Sequence, residues 1–175
     1  MDNFVIVQIL GAITLILYVA AFQQRKKETF LLLQSAGSLF FVIQYILTGR
    51  ITGAVIFIII TIRGIVYYFY KRKGIKPSLA ILILFQAILI VSTYLTWQSI
   101  FSIFPYIATA GKTWGTWQDE MKWARRTSLL AQCCMIVYNL SAAMYTGTLT
   151  EVCNMTSNLI AIWRFDIRKQ VTSNN

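Results

Sequence analysis

The stretch LAILILFQAILIVSTYL, Leu79–Leu95, decides the fold, because it is an almost purely apolar helix with one Gln and no charge. Similar sequence lies on both sides of it. LLLQ at residues 31–34 and TGRIT at 48–52 precede it, and LLAQ at 129–132 and TGTLT at 146–150 follow it. The two copies align without a gap. We therefore interpret the chain as two repeats joined by one connecting helix.

The composition indicates a membrane protein. The chain has 175 residues, of which 57% are hydrophobic and 13% are charged, whereas a soluble domain carries roughly 25% charged residues. Much of the surface must therefore face lipid. Apolar runs of about 17–25 residues can cross a bilayer as helices, and we predict seven of them. They cover residues 3–22, 29–48, 51–70, 79–97, 98–117, 124–145 and 148–165.

The basic residues predict the direction of the chain in the membrane. With seven spans, nearly all of them fall on one side, and the opposite side has only Arg50. Excess Lys and Arg mark the cytoplasmic side, so we predict the amino terminus outside and the carboxyl terminus in the cytoplasm. Topology therefore explains the net charge of +10, and no nucleic-acid partner is expected. The basic clusters are Arg25, Lys26 and Lys27; Lys71, Arg72, Lys73 and Lys76; Lys122, Arg125 and Arg126; and Arg164, Arg168 and Lys169.

The number of helices predicts how the repeats are related. A three-helix unit begins and ends on opposite faces, so two units fused directly would be inverted. The fourth helix restores the orientation, and we predict parallel repeats related by an axis along the membrane normal, which is a known transporter plan. Residues 1–75 form the first three-helix repeat, 76–97 the linker helix, 98–170 the second repeat and 171–175 a disordered tail.

This arrangement resembles the SWEET and PQ-loop (MtN3-like) transporter superfamily. That superfamily often has Pro-Gln at the cytoplasmic end of the first helix of each repeat, where this chain has Phe22-Gln23 and Trp117-Gln118. The glutamines are retained and the prolines are missing. The length, the WGTW segment and the TGxxT repeats resemble more closely the YgjV family of small bacterial inner-membrane proteins. The resemblance implies an inner-membrane location and leaves the substrate open among sugars, nucleosides and amino acids.

Two basic side chains lie deep inside predicted spans. Arg63 is about 18 Å from the outer end of the third span at 1.5 Å per residue, and Lys112 has a similar depth in the fifth. Such charges usually face the interior of the bundle and mark function, although they can also snorkel to the headgroups. If both face inward, we expect an anionic solute; otherwise the solute is neutral. Glu151 is predicted to lie more than a turn or two away from them.

The seventh span carries a polar face. Glu151, Asn154 and Asn158 have the spacing i, i+3 and i+7, which places them on one side of a helix. We predict that they face inward, where they either bind substrate or make interhelical hydrogen bonds worth about 0.6 kcal/mol each. The binding residues predicted from neighbouring spans are Gln34, Gln132 and Asn139.

Trp114 allows two interpretations. Trp114 and Trp117 lie one turn apart near the cytoplasmic end of their span, where Trp is common at the lipid headgroups. The alternative is a stacking platform for a planar ligand, as the resemblance to nicotinamide riboside transporters of the superfamily implies.

Residues 49–53 and 111–115 match GxxxG, which favours close helix packing.

No catalytic or metal-binding arrangement is visible. The chain has no His, its acids lie mostly at helix ends, and its three cysteines lack metal-ligand spacing. We therefore expect no enzyme, no metal and no cofactor. The leading hypothesis is a small-solute secondary transporter or facilitator, with the solute bound between the two repeats. The alternatives are a non-transporting membrane subunit and a lipid-handling or envelope-associated protein. Expected partners are membrane lipids and one small solute, and a homo-oligomer is left open.

Overall fold

The protein is all-helical. The computed structural model describes residues 2–49, 51–97, 99–141 and 145–168, and within them it has seven α-helices and no strand. A 3₁₀ turn, Ile100–Ser102, precedes the fifth helix, and a π-helical segment, Ile162–Ile167, extends the seventh. The helices are α1 (Asp2–Phe22), α2 (Lys27–Leu47), α3 (Ile51–Arg72), α4 (Leu79–Leu95), α5 (Ile103–Trp117), α6 (Met121–Ser141) and α7 (Tyr145–Ala161).

The predicted boundary between the sixth and seventh spans was wrong. Tyr145 begins α7, whereas the sequence had placed it at the end of the sixth span. The error arose because TGTLT repeats the sequence of TGRIT at residues 48–52, which begins in the turn after α2. Gly49 does lie in that turn, with φ +70°, but Gly147 is helical and packs against Asn139. Arg50, Gln98 and the predicted tail at 171–175 lie outside the described residues.

Large apolar side chains face outward and many polar ones face inward. Ile58, Ile62 and Ile65 of α3 are exposed, whereas Arg63 of the same helix is fully buried. Soluble proteins show the opposite arrangement, and extended exposed apolar surface marks contact with lipid or a partner. By length and hydropathy, two described helices, α2 and α3, could cross a membrane. Shorter apolar helices cover Ile6–Phe22 and Leu79–Leu95.

Successive helices run in opposite directions, as the contacts between the ends of different helices show. The Lys27 ammonium, at the start of α2, donates to the carbonyl oxygen of Gln118, which follows α5. Trp117 Nε1 donates at 2.8 Å to the carbonyl oxygen of Pro77, just before α4. At the opposite end, the Thr52 hydroxyl donates at 2.8 Å to the carbonyl that follows α4. The described basic clusters therefore share one end of the bundle, which we call the basic end.

The helices pack as two three-helix units. In the first unit α2 lies between α1 and α3, and in the second unit α6 lies between α5 and α7. The units meet where α1 packs against α7 and where α3 packs against α5, while α4 contacts α3 and α5. The pairs of helices that are in contact, within and between the units, stay the same when α1 is exchanged with α5, α2 with α6 and α3 with α7.

The glycine pairs explain part of the close packing. A Cβ at Gly115 would lie 2.8 Å from the Cβ of Thr127 in α6, and one at Gly53 would lie 2.5 Å from the Tyr45 ring. Gly111, by contrast, has no neighbouring atom within 4 Å of such a Cβ, and Gly49 lies in a turn. Each GxxxG match therefore supplies one glycine to a helix interface.

Candidate functional site

A cavity of about 30 Å³ lies where the two units meet. Its wall includes side chains from α1, α3, α5, α6 and α7. A space of this size accommodates ordered water but not a metabolite, so entry of a solute requires the units to move. The lining residues are Tyr18, Ile56, Phe57, Ile60, Ala108, Thr109, Lys112, Ala131, Gln132, Met135 and Glu151.

Two opposite charges line this cavity. Lys112 of α5 and Glu151 of α7 are 9% and 8% exposed. Within the described part of the chain, neither is in an ion pair shorter than 4.0 Å. The Lys112 ammonium lies 5.2 Å from the centre of the Tyr18 ring, a distance at which a cation is attracted to the ring face. The Tyr18 hydroxyl is hydrogen-bonded at 2.8 Å to Ser38 Oγ.

The prediction that Glu151 lies more than a turn or two away from the deep basic residues was wrong for Lys112, because both side chains line the same small cavity. Because α7 begins at Tyr145, Glu151 is about 9 Å into the helix at 1.5 Å per residue. Its side chain therefore reaches the cavity that Lys112 also lines. The Lys112 side chain is buried and does not snorkel to the headgroups.

Arg63 of α3 is another buried charge, and its side chain reaches α5. It has no exposed surface, and one terminal nitrogen donates at 2.7 Å to the Thr113 hydroxyl. The Arg63 Nε and the other terminal nitrogen have no hydrogen-bond partner among the described residues. No acidic side chain in those ranges lies within 4.0 Å of the guanidinium. The Arg63 side chain faces inward and does not snorkel.

The polar face of α7 is buried, as its spacing predicted. Asn158 Nδ2 donates at 2.9 Å to the carbonyl oxygen of Arg125 and at 3.3 Å to Gln132 Oε1. Asn158 thus holds α7 against α6, and Gln132 connects this contact to the cavity. Asn154 is 1% exposed, and its two amide atoms have no partner within the ranges described.

Gln34 and Asn139 are also buried, but neither lines the cavity. Gln34 in α2 is 2% exposed, and its amide nitrogen and oxygen have no partner in the described portion of the chain. Asn139 packs on Gly147, where any β-carbon would lie 3.0 Å from its amide nitrogen. Both residues contribute polar groups to the packing of their own units.

Trp114 is placed apart from these residues. It is 39% exposed and does not line the cavity, and its ring makes an edge contact with Trp123, with the ring centres 5.4 Å apart. This position fits an interfacial Trp better than a stacking platform.

Sequence reasoning missed Tyr18 and Thr109, because one Tyr or Thr in an apolar run is common in any span.

The two sides of the cavity differ in polarity. The first unit contributes the apolar side chains of Ile56, Phe57 and Ile60. The repeat alignment, with Gln34 on Gln132, puts Ile56 and Ile60 at the positions of Asn154 and Asn158. The charged and amide side chains of the wall come from the second unit.

A helical chain with apolar side chains outside and polar ones inside has the character of an integral membrane protein. Residues 5–169 match Imp-YgjV, a family of bacterial inner membrane proteins, and the chain belongs to that family. No curated protein and no solved structure matches the chain. The predicted YgjV resemblance is confirmed, and the inner-membrane location follows from the family. Membership of the SWEET and PQ-loop superfamily stays a prediction.

Proposed function

We propose that the protein is a small-solute transporter or facilitator that alternates access between its two three-helix units. The observation that carries this proposal is the cavity at their interface, which buried Lys112 and Glu151 both line. Burying charges costs several kcal/mol per ion unless they are well paired, and charges inside membrane proteins usually mark a pathway or a site. The proposed role is transport without catalysis, and the partners are lipid and one solute.

The proposed topology has seven spans, with the amino terminus outside. The alternating helix directions and the basic clusters at one end support it, since Lys and Arg mark the cytoplasmic side. Helices α5, α6 and α7 have a lower hydropathy than α2 and α3, because they carry polar side chains that face inward.

A cysteine-labelling experiment tests this topology. With Cys133, Cys134 and Cys153 replaced by Ser, an impermeant maleimide added to whole cells should label Thr48→Cys and leave Lys73→Cys unlabelled. Both positions are exposed and lie at opposite ends of α3. Permeabilised cells provide the control, because both variants should then react. Labelling of both positions from the same side would exclude the seven-span topology.

The proposed architecture is the SWEET-like one, with parallel repeats joined by α4. The exchange symmetry of the helix contacts supports it. Lys27 and Arg125 support it as well, since the repeat alignment makes them equivalent. Each donates to a carbonyl at the end of the other unit's first helix, on Gln118 and Gln24. Rocking of one unit against the other would open the cavity towards either end.

Gln132→Leu should abolish saturable uptake by proteoliposomes supplied with a mixed pool of metabolites. The change removes an amide from the cavity wall at nearly constant volume. Asn158 keeps its 2.9 Å bond to the Arg125 carbonyl, so the fold should persist. Gln86→Leu is the matched control, because Gln86 bonds to the Ala110 carbonyl from α4 and does not line the cavity. Equal uptake by both variants would contradict a role for Gln132 in solute binding, and no saturable uptake by the unchanged protein would favour a non-transporting subunit.

A further inference from the structure

We infer that the cavity binds a small zwitterion with an apolar side group, of the α-amino acid type. Its carboxylate pairs with Lys112 and its ammonium pairs with Glu151. This inference rests on the proposed function, whose substrate class it names. It replaces the anionic solute that the sequence predicts, because Glu151 lines the cavity together with Lys112.

The charges of the cavity wall favour a ligand with both signs. Lys112 and Glu151 line the same space without a direct ion pair shorter than 4.0 Å among the described residues. An anion would satisfy Lys112 and be repelled by Glu151, and a cation would meet the reverse problem. A zwitterion satisfies both, and charge-assisted hydrogen bonds are stronger than neutral ones.

The apolar part of the wall indicates the rest of the ligand. Ile56, Phe57 and Ile60 from the first unit face the cavity together with Ala108, Ala131 and Met135 from the second. These six side chains are complementary to a short aliphatic group and offer no partner to a hydroxyl on it, whereas the polar side chains of the wall are Tyr18, Thr109, Lys112, Gln132 and Glu151. An unpaired hydroxyl buried there would lose its bonds to water, which is unfavourable.

Four small molecules of similar shape test these features separately. L-Valine has both charges and an apolar group, 2-hydroxyisovalerate lacks the ammonium, valinamide lacks the carboxylate, and L-threonine adds a side-chain hydroxyl. Binding to the protein in lipid nanodiscs should be tightest for valine, and about tenfold or more weaker for either singly charged analogue, because one charged hydrogen bond is lost. Threonine should also bind more weakly than valine. Equal affinity for all four, or preference for a singly charged analogue, would overturn the inference.

Two substitutions identify which side chain recognises which group. Lys112→Gln should weaken binding of valine, so that valinamide binds more tightly than valine. Glu151→Gln should make 2-hydroxyisovalerate bind more tightly than valine. The controls are Lys122→Gln and Glu120→Gln, which break an exposed ion pair of 2.5 Å and should leave the order unchanged. Valine affinity that neither cavity substitution alters would overturn the inference. The comparison of the four solutes needs no variant, so misfolding of a variant does not remove the test.

Uptake measurements separate this inference from the proposed function. Valine binding without uptake into proteoliposomes would support the zwitterion site and contradict transport. Saturable uptake of other solutes without valine binding would support transport and overturn the zwitterion site. Neither binding nor uptake would overturn both.

Discussion

Replacing Arg63 with Met should abolish solute uptake and leave the protein at least as stable as the unchanged chain. The guanidinium is fully buried, and two of its nitrogens have no hydrogen-bond partner among the described residues. A buried charge without an acidic partner carries a desolvation penalty, and well-packed apolar replacements of buried ions are often neutral or stabilising. Thr113, which accepts from Arg63, keeps its own 2.6 Å bond to the Thr109 carbonyl.

Uptake should be lost because Arg63 joins the two units beside the cavity. Its bond runs from α3 to Thr113 of α5, the residue that follows Lys112. Any movement of α3 against α5 must break and remake this bond, and the charge also strengthens the positive potential near the place where a carboxylate is proposed to bind. Residues that break the rules of good packing are expected mainly at functional sites.

The measurements are uptake by proteoliposomes and the midpoint of thermal unfolding in detergent. Arg72→Met provides the control, since Arg72 is exposed at the end of the same helix, and it should change neither quantity. Full uptake by Arg63→Met would show that the buried charge has no part in transport. A large loss of stability would show instead that Arg63 is an element of the packing.

The helices were predictable because their signals are local. Apolar runs predicted the seven described helices, and one-sided spacing predicted the inward face of α7. The start of α7 was not predictable, because TGTLT looks like a turn, and only packing on Asn139 favours a helix at Gly147. With this start, Glu151 lies deeper in the helix than predicted, and its side chain lines the cavity.

The composition of the cavity could be predicted only in part. Lys112 was conspicuous as a charge in an apolar run, and Gln132 as a repeated residue. Tyr18 gave no signal, because its place in the cavity depends on how α1 packs near α5 and α7. Trp114 gave a misleading signal, since sequence alone does not show which side of a helix faces its neighbours.

Arg125→Ala should cause a large loss of stability, by about 3 kcal/mol or more. Arg125 is 2% exposed, and its guanidinium makes a 2.5 Å ion pair with Asp166 and a 2.9 Å bond to the Gln24 carbonyl. Removing one partner of a buried ion pair leaves the other charge uncompensated, which typically costs 3–5 kcal/mol. The substitution also releases the end of α1 from the start of α6, where the two units meet at the basic end.

Three further variants rank the effect. Lys27 is the counterpart of Arg125 in the first repeat, but among the described residues it donates to the Gln118 carbonyl and is in no ion pair. Lys27→Ala therefore leaves no charge unpaired there and should cost less. Arg126→Ala, at an exposed neighbouring position, should leave the unfolding midpoint unchanged. Changing Arg125 to Met together with Asp166 to Leu should recover much of the loss, because no charge is then left unpaired. If Arg125→Ala unfolds at the same temperature as Arg126→Ala, the ion pair does not hold the basic end together.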